Sequence, residues 1–228
     1  MNVNKLHEIL SLCEQGNPFN EKVTLVGAIK TIDADTVNLA IKEGLKVVAE
    51  NKAQEFRDKA EKIIGAEHHF IGHLQSNKIK YVVGKVSLIH SVDSISLAKD
   101  IDAFAKKKGL TQNVLAEINI GGELSKSGFN PTNALDSIKE LSKLENIKVV
   151  GLMAMLPKSD DEMLLASLVK QMRSLFDTLK AEGFPFYYLS VGMSADYRLA
   201  IQNGSNMIRV GSEIFGKRNY EVKTDGNV

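Results

Sequence analysis

One cysteine, Cys13, stands in a chain of 228 residues, so no intrachain disulfide framework is available. That absence fits a reducing compartment, and the chain is expected to be cytoplasmic. Excess charge is missing too. Lys and Arg number 29 against 28 Asp and Glu, which excludes a global basic field for nucleic acid and an acidic tail. No apolar stretch approaches membrane-spanning length. The opening residues Met1-Asn2-Val3-Asn4-Lys5-Leu6-His7-Glu8 are polar and lack the apolar core of a secretory signal. Linkers, low-complexity tracts and internal repeats are also absent. The chain therefore reads as one domain over residues 1–228, with a polar tail from about 217.

What is present is a run of strand–helix units. Hydrophobic residues make up 43% and charged residues 25%, ordinary values for a globular protein with a sizeable core. Short apolar runs at 23–29, 46–49, 68–71, 86–90, 113–119, 147–152, 186–190 and 207–210 read as strands. Helical patterns occupy 33–43, 52–63, 76–83, 95–107, 132–143, 161–181 and 195–202, and an amphipathic segment near 3–14 precedes the first strand. Gly44, Gly109 and Gly183 fall where a glycine ends a helix. Eight strands with helices between them indicate a parallel sheet, and eight is the number that closes a (β/α)8 TIM barrel. No helix is expected after the eighth strand; the N-terminal helix could cover that gap. The rival, an open doubly wound sheet, would show a Gly-rich turn after its first strand, and none is present.

Lys30 is the most informative residue. It ends the apolar run Val23-Thr24-Leu25-Val26-Gly27-Ala28-Ile29. A lysine at the C-terminal end of a buried strand is costly unless it reaches a pocket. By position alone it either snorkels to solvent or, desolvated, becomes a usable amine able to form a Schiff base with a carbonyl. Barrels place their sites on this face, often with a phosphate site in the loops after strands seven and eight. Those loops here are Leu189-Ser190-Val191-Gly192-Met193-Ser194 and Ile208-Arg209-Val210-Gly211-Ser212. Their small residues let backbone approach a ligand, and serine hydroxyls with helix-terminal N–H groups suit phosphate. Alternation along 207–210 is expected to set Arg209 and Met207 on opposite faces of the strand. If Arg209 points inward it needs a partner, such as a ring nitrogen or a carboxylate. His68 and His69 fall on opposite faces of a strand and lack a metal-site context, so no metal is expected. Gly122 to Gly128 fails the G-x-x-x-x-G-K-S/T pattern of a P-loop.

Taken together, these residues resemble a known family. Over roughly residues 5–220 the chain resembles the YggS/PROSC proteins, the pyridoxal phosphate homeostasis family. The matching stretches are Ile29-Lys30-Thr31, Glu50-Asn51 with Gln54-Glu55, His69 through Lys78, and His90-Ser91-Val92-Asp93. They continue with Asn119, Glu123-Leu124-Ser125-Lys126-Ser127-Gly128, Gly151-Leu152-Met153-Ala154-Met155, Leu189 through Asp196, and Gly204 through Gly216. The chain departs from the family pattern at Ile29, Ala49, His68 and Val191, none of which removes a group needed to bind the cofactor. The resemblance implies a barrel like the alanine racemase N-terminal domain and pyridoxal 5′-phosphate (PLP) held as a Schiff base on Lys30. It implies that Ser190, Ser194, Gly211 and Ser212 hold the phosphate, with Met193 in the same loop. Arg209 would face the pyridine nitrogen and Asn51 would lie beside the cofactor.

The resemblance leaves carrier and enzyme to be told apart. An arginine at the pyridine nitrogen favours the neutral ring and a weaker electron sink. A racemase also needs a second acid–base group, which its family draws from a second domain, and this chain is expected to lack that domain. The expectation is therefore a non-catalytic PLP carrier that supplies apo PLP-dependent enzymes, monomeric, without nucleic-acid or membrane partners. The alternative is a small amino-acid racemase using His73 or Tyr197 as second base. A third reading is a Schiff-base aldolase without PLP.

Overall fold

Most strands of the barrel are short runs of β-branched and apolar residues, buried between the barrel interior and the covering helices, while the third is the polar run Glu67-His68-His69-Phe70. In the computed structural model, which describes residues 1–123 and 126–216, the strands are β1 (Thr24–Ala28), β2 (Val47–Glu50), β3 (Glu67–Phe70), β4 (Leu88–Val92), β5 (Gln112–Ile118), β6 (Ile147–Ala154), β7 (Tyr188–Val191) and β8 (Met207–Val210). All pair in parallel, in sequence order, and β8 closes the ring on β1 with Leu25 opposite Ile208 and Gly27 opposite Val210. The closed (β/α)8 barrel is the fold the strand count implied. The polar tail expected from about 217 lies outside the described residues.

The helices are α1 (Val3–Gln15), α2 (Ala34–Lys42), α3 (Ala53–Lys59), α4 (Ile95–Lys108), α5 (Ala134–Leu141), α6 (Glu162–Ala181), α7 (Tyr197–Gln202) and α8 (Ser212–Phe215). Their starts are set by side-chain caps: Asn2, Asp33, Ser94 and Asp161 each accept an N–H three residues on. Gly109 ends α4 in the left-handed conformation, at φ 64°. One expectation is corrected here. A helix does follow the eighth strand: α8 makes a single turn, and α1 packs beside it, Asn2 N–H donating to the Ile214 carbonyl at 2.7 Å. Leu6, Ile9 and Cys13 of α1 join Ile208, Val210, Ile214 and Phe215 in one apolar cluster.

Inside the ring, Val26, Val47, Ala49, Leu88, Leu115, Val150, Met153 and Met207 form the packed interior. A second correction concerns β8. Met207 and Arg209 share the inner face, as residues two apart on a strand must, while Ile208 and Val210 pack outward under α1. Among the described residues, no helix is long and apolar enough to cross a membrane.

Candidate functional site

Because β8 lies between β7 and β1, the loops that leave these three strands are neighbours. They enclose a cavity of about 240 Å³ at the C-terminal mouth of the barrel. Lys30, Met193, Ser194, Arg209, Gly211 and Ser212 line it. Residues separated by nearly two hundred positions in sequence are thus brought to one wall by the closure of the ring.

Lys30 is half-buried in the turn that leaves β1. The next residue, Thr31, has φ 64°, a strained conformation for a β-branched residue. Such a conformation costs about 1–3 kcal/mol and persists only where its surroundings hold it. Here they do. Lys59, at the end of α3, donates its Nζ to the carbonyls of Ile29 at 2.7 Å and Ile32 at 2.8 Å. The same ammonium pairs with Glu50 at the end of β2. The Thr31 N–H donates to Glu55 Oε2 at 3.0 Å. Glu50 is 1% exposed, and burial raises its carboxyl above the ordinary range despite the pull of Lys59. The sequence reading missed this brace. Its trace was Glu55 and Lys59, four apart on one helix face directly after β2.

The opposite wall is built differently. β7 and β8 share little ladder, with Ser190 opposite Met207, and side chains at the foot of β8 supply the missing bonds. The Ser205 hydroxyl sits among the carbonyls of Leu189, Val191 and Met207, closest to Val191 at 2.7 Å. Asn206 accepts the Leu189 N–H at 2.7 Å and donates to the Tyr187 carbonyl at 2.9 Å. Above this stitch, Gly192 turns the chain at φ 105°, where a side chain would meet Ala200 and Tyr197. Asp196 accepts the Met193 N–H at 2.6 Å. Gly211 lies so close to β1 that a Cβ there would stand 2.9 Å from the Ala28 carbonyl oxygen, and its N–H donates to Ser194 Oγ at 3.4 Å.

Two expected residues stand apart from the cavity. Asn51 follows β2, level with Lys30 because Ala28 pairs with Ala49. Its Oδ1 is buried and finds no donor among the described residues. Ser190 lies on β7 itself and is fully buried. Its hydroxyl accepts from Arg209 at 2.7 Å and contacts His90 Nδ1 at 3.2 Å, so it supports the arginine from below instead of lining the cavity. Arg209 is 5% exposed. Its Nη1 also donates to the Ser190 carbonyl at 2.7 Å and its Nη2 to the Ala154 carbonyl at 3.0 Å. Burial lowers its pKa to about 10, against the pull of Glu117 and Asp196. Glu117, on the inner face of β5, is pushed up to about 7 by burial and by the charge of Asp93. Neither His73 nor Tyr197 lines the cavity. His73 pairs with Asp93 at 3.2 Å, and the buried Tyr197 hydroxyl donates to Glu213 at 3.4 Å.

The family model described as "Alanine racemase, N-terminal domain" matches residues 18–219. The chain belongs to that family. Among its relatives is the pyridoxal phosphate homeostasis protein of Aquifex aeolicus, 39% identical over 218 residues, covering 94% of this chain and 96% of the relative. The Escherichia coli K12 protein of the same description is 34% identical over 208 residues, 89% of each chain. A solved structure of PipY from Synechococcus elongatus with PLP bound superposes with a TM-score of 0.80 at 29% identity, over 93% of this chain and all of that one. An alanine racemase of Clostridium difficile shares the fold at a TM-score of 0.72 and 20% identity, this chain spanning 55% of its length. The family relation places the chain with the pyridoxal phosphate homeostasis proteins, the group its strand-end motifs resemble.

Proposed function

We propose that the protein is a carrier in intracellular PLP homeostasis, which holds PLP on Lys30 as a Schiff base in the cytoplasm and supplies it to apo-enzymes. The site passes a test of fit for that group. Among the described residues, the N–H groups of Ser194, Ala195, Ser212 and Glu213 have no hydrogen-bond acceptor. With the hydroxyls of Ser194 and Ser212 they make a neutral, donor-rich wall suited to a phosphate dianion. The close approach of Gly211 to β1 sets that wall beside Lys30. The orphaned Asn51 oxygen, level with Lys30, is a further polar group that lacks a partner.

When bound, PLP supplies an aldehyde carbon for an amine and an electron-accepting ring. Lys30 provides the amine. Ser194, Gly211 and Ser212 would hold the phosphate, and Met193 closes the same loop. Arg209 offers donors only, so a ring nitrogen facing it receives a hydrogen bond and is not asked to hold a proton. That weakens the ring as an electron sink and favours holding over turnover. The two groups that could have served as a racemase's second base, His73 and Tyr197, are engaged elsewhere. The observation that carries this reading is the convergence of Lys30 with the donor wall on one cavity.

The visible spectrum of the purified protein with PLP, followed by borohydride reduction and peptide mapping, tests the anchor. A yellow protein whose reduced adduct maps to Lys30 is expected. A colourless protein without adduct would sink the reading. Transfer to an apo-enzyme, measured as regained enzyme activity with a free-PLP scavenger present, tests the supply role; no transfer leaves a binder that is not a carrier.

A further inference from the structure

Beneath the cavity the barrel interior carries a file of four buried polar side chains, Arg209, Ser190, His90 and His69, from β8, β7, β4 and β3. Arg209 Nη1 lies 2.7 Å from Ser190 Oγ. Ser190 Oγ lies 3.2 Å from His90 Nδ1, and His90 Nε2 lies 3.0 Å from His69 Nδ1. His69 Nε2 then faces the Glu67 carboxylate at 3.7 Å, at the other end of β3. Glu67 is exposed, and His69 holds its carboxyl below the ordinary range. The file therefore runs from the cavity floor to the opposite mouth of the barrel.

Counting donors gives the file a direction. A guanidinium only donates, so Ser190 Oγ accepts from Arg209. The hydroxyl's own proton has one acceptor in reach among the described residues, His90 Nδ1. His90 is fully enclosed, and burial, with the charge of Arg209 nearby, holds its pKa well below the ordinary value. It is therefore a neutral ring with a single N–H. Since Nδ1 accepts, that proton sits on Nε2 and is donated to His69 Nδ1. His69 in turn carries its proton on Nε2, toward Glu67. The opposite polarity would leave the Ser190 hydroxyl proton buried without an acceptor, at a cost of about 1–3 kcal/mol. Of the five donors of Arg209, three are spent on Ser190 and Ala154. Its Nε–H and one Nη2–H are left for the cavity it lines.

We infer that His90, acting through Ser190, is a positioning residue for Arg209, and that both buried histidines are fixed as Nε2–H tautomers by a one-way hydrogen-bond file through the barrel. His69 extends that file and turns its Nε2 toward Glu67. The inference rests on the reading of Arg209 as the group that faces the ring nitrogen of PLP. The tautomer assignment itself requires no cofactor.

Long-range proton–nitrogen correlation spectra of the cofactor-free protein, labelled with 15N-histidine, test the file directly. An unprotonated Nδ1 and a protonated Nε2 are expected for His69 and His90, assigned with single-histidine variants. An Nδ1–H tautomer or an imidazolium at His90 would overturn the inference, whatever the protein does with PLP. The positioning role is read from PLP titration and the absorption maximum of the loaded protein. His90→Leu is expected to weaken PLP binding on the order of tenfold and to shift that maximum. His90→Asn, which keeps an acceptor beside Ser190, is expected to restore both. Ser190→Ala, which leaves the barrel filled, should act in the direction of His90→Leu and serves in its place if that variant does not fold. Variants that lose thermal stability but keep affinity and spectrum would show a packing role only and overturn the proposal. If the native protein takes up no PLP, the proposed function fails while the spectra still decide the file.

Discussion

The two walls of the cavity are held by different means. The turn after β1, which carries Lys30, is braced by charged side chains: Lys59 spans two carbonyls and a buried carboxylate, and Glu55 holds the strained Thr31. The loops after β7 and β8 are held mostly by backbone, by glycines that let strands approach and by the neutral stitch of Ser205 and Asn206, with the Asp196 carboxylate on the Met193 N–H. On the proposed function, the contrast follows the chemistry each wall would face. An amine that must meet a carbonyl needs a fixed stem, and charges separated in sequence can clamp it from outside. A phosphate is best met by many N–H dipoles, and a bulky or charged scaffold would fill the space they need.

Removing the charged brace is the hardest blow to that contrast. Lys59→Met leaves Glu50 buried without its cation and strands two carbonyls, so a loss of about 3–5 kcal/mol is expected. Urea unfolding at unchanged m-value measures it, and adding Glu50→Gln should return part of the loss. A decrease below about 1 kcal/mol would show that the brace is decorative.

Titration comes next. Glu50 and Glu117 both have carboxyls raised by burial, Glu117 from 4.5 to about 7. A carboxyl whose folded pKa lies above its unfolded value binds its proton more tightly in the folded protein. Its stabilising effect is present below about pH 4.5 and is lost as pH rises through about 7. Glu117→Gln should flatten the stability profile across that window, by up to about 3 kcal/mol at pH 8. An unchanged profile would remove Glu117 from the account.

On the neutral wall, the backbone approach is the target. Gly211→Ala places a Cβ 2.9 Å from the Ala28 oxygen, and about 1–3 kcal/mol of overpacking is expected, with PLP binding weakened more than stability. Thermal midpoints and PLP titration separate the two. Ser194→Ala is the mildest change. It removes one long hydrogen bond from Gly211 and one hydroxyl from the donor wall, so stability should move by less than about 1 kcal/mol while PLP affinity falls several-fold. Equal effects on both would mean that the hydroxyl serves the loop and not the ligand.

The neutral wall was the more legible in the sequence, and the reason is physical. Small residues and serines at strand ends are local features, so Ser194, Gly211 and Ser212 could be read one loop at a time. The brace depends on α3 folding back over a turn some thirty residues earlier, and the spacing of Glu55 and Lys59 on one helix face does not say which turn they reach. Ser190 was read together with the loop that follows it. Ser190 lies within β7, where alternation turns its side chain into the barrel and onto Arg209. Lys30 was readable because a lysine closing an apolar run needs a destination. The polar file below Arg209 was not, because adjacency of β3, β4, β7 and β8 side chains across the interior exists only once the ring has closed.

That closure sets an order of events during synthesis. α1 leaves the ribosome before its seat on β8 and α8, which is made roughly two hundred residues later, on the order of ten to forty seconds at ~5–20 residues per second. For that interval its apolar stripe of Leu6, Ile9 and Cys13 has no partner from the far end of the chain. The loops after β7 and β8 emerge in the same stretch as that seat. The nascent chain thus gains Lys30 early and the opposite wall of the cavity only with β7 and β8, so the cavity cannot form before the ring has closed.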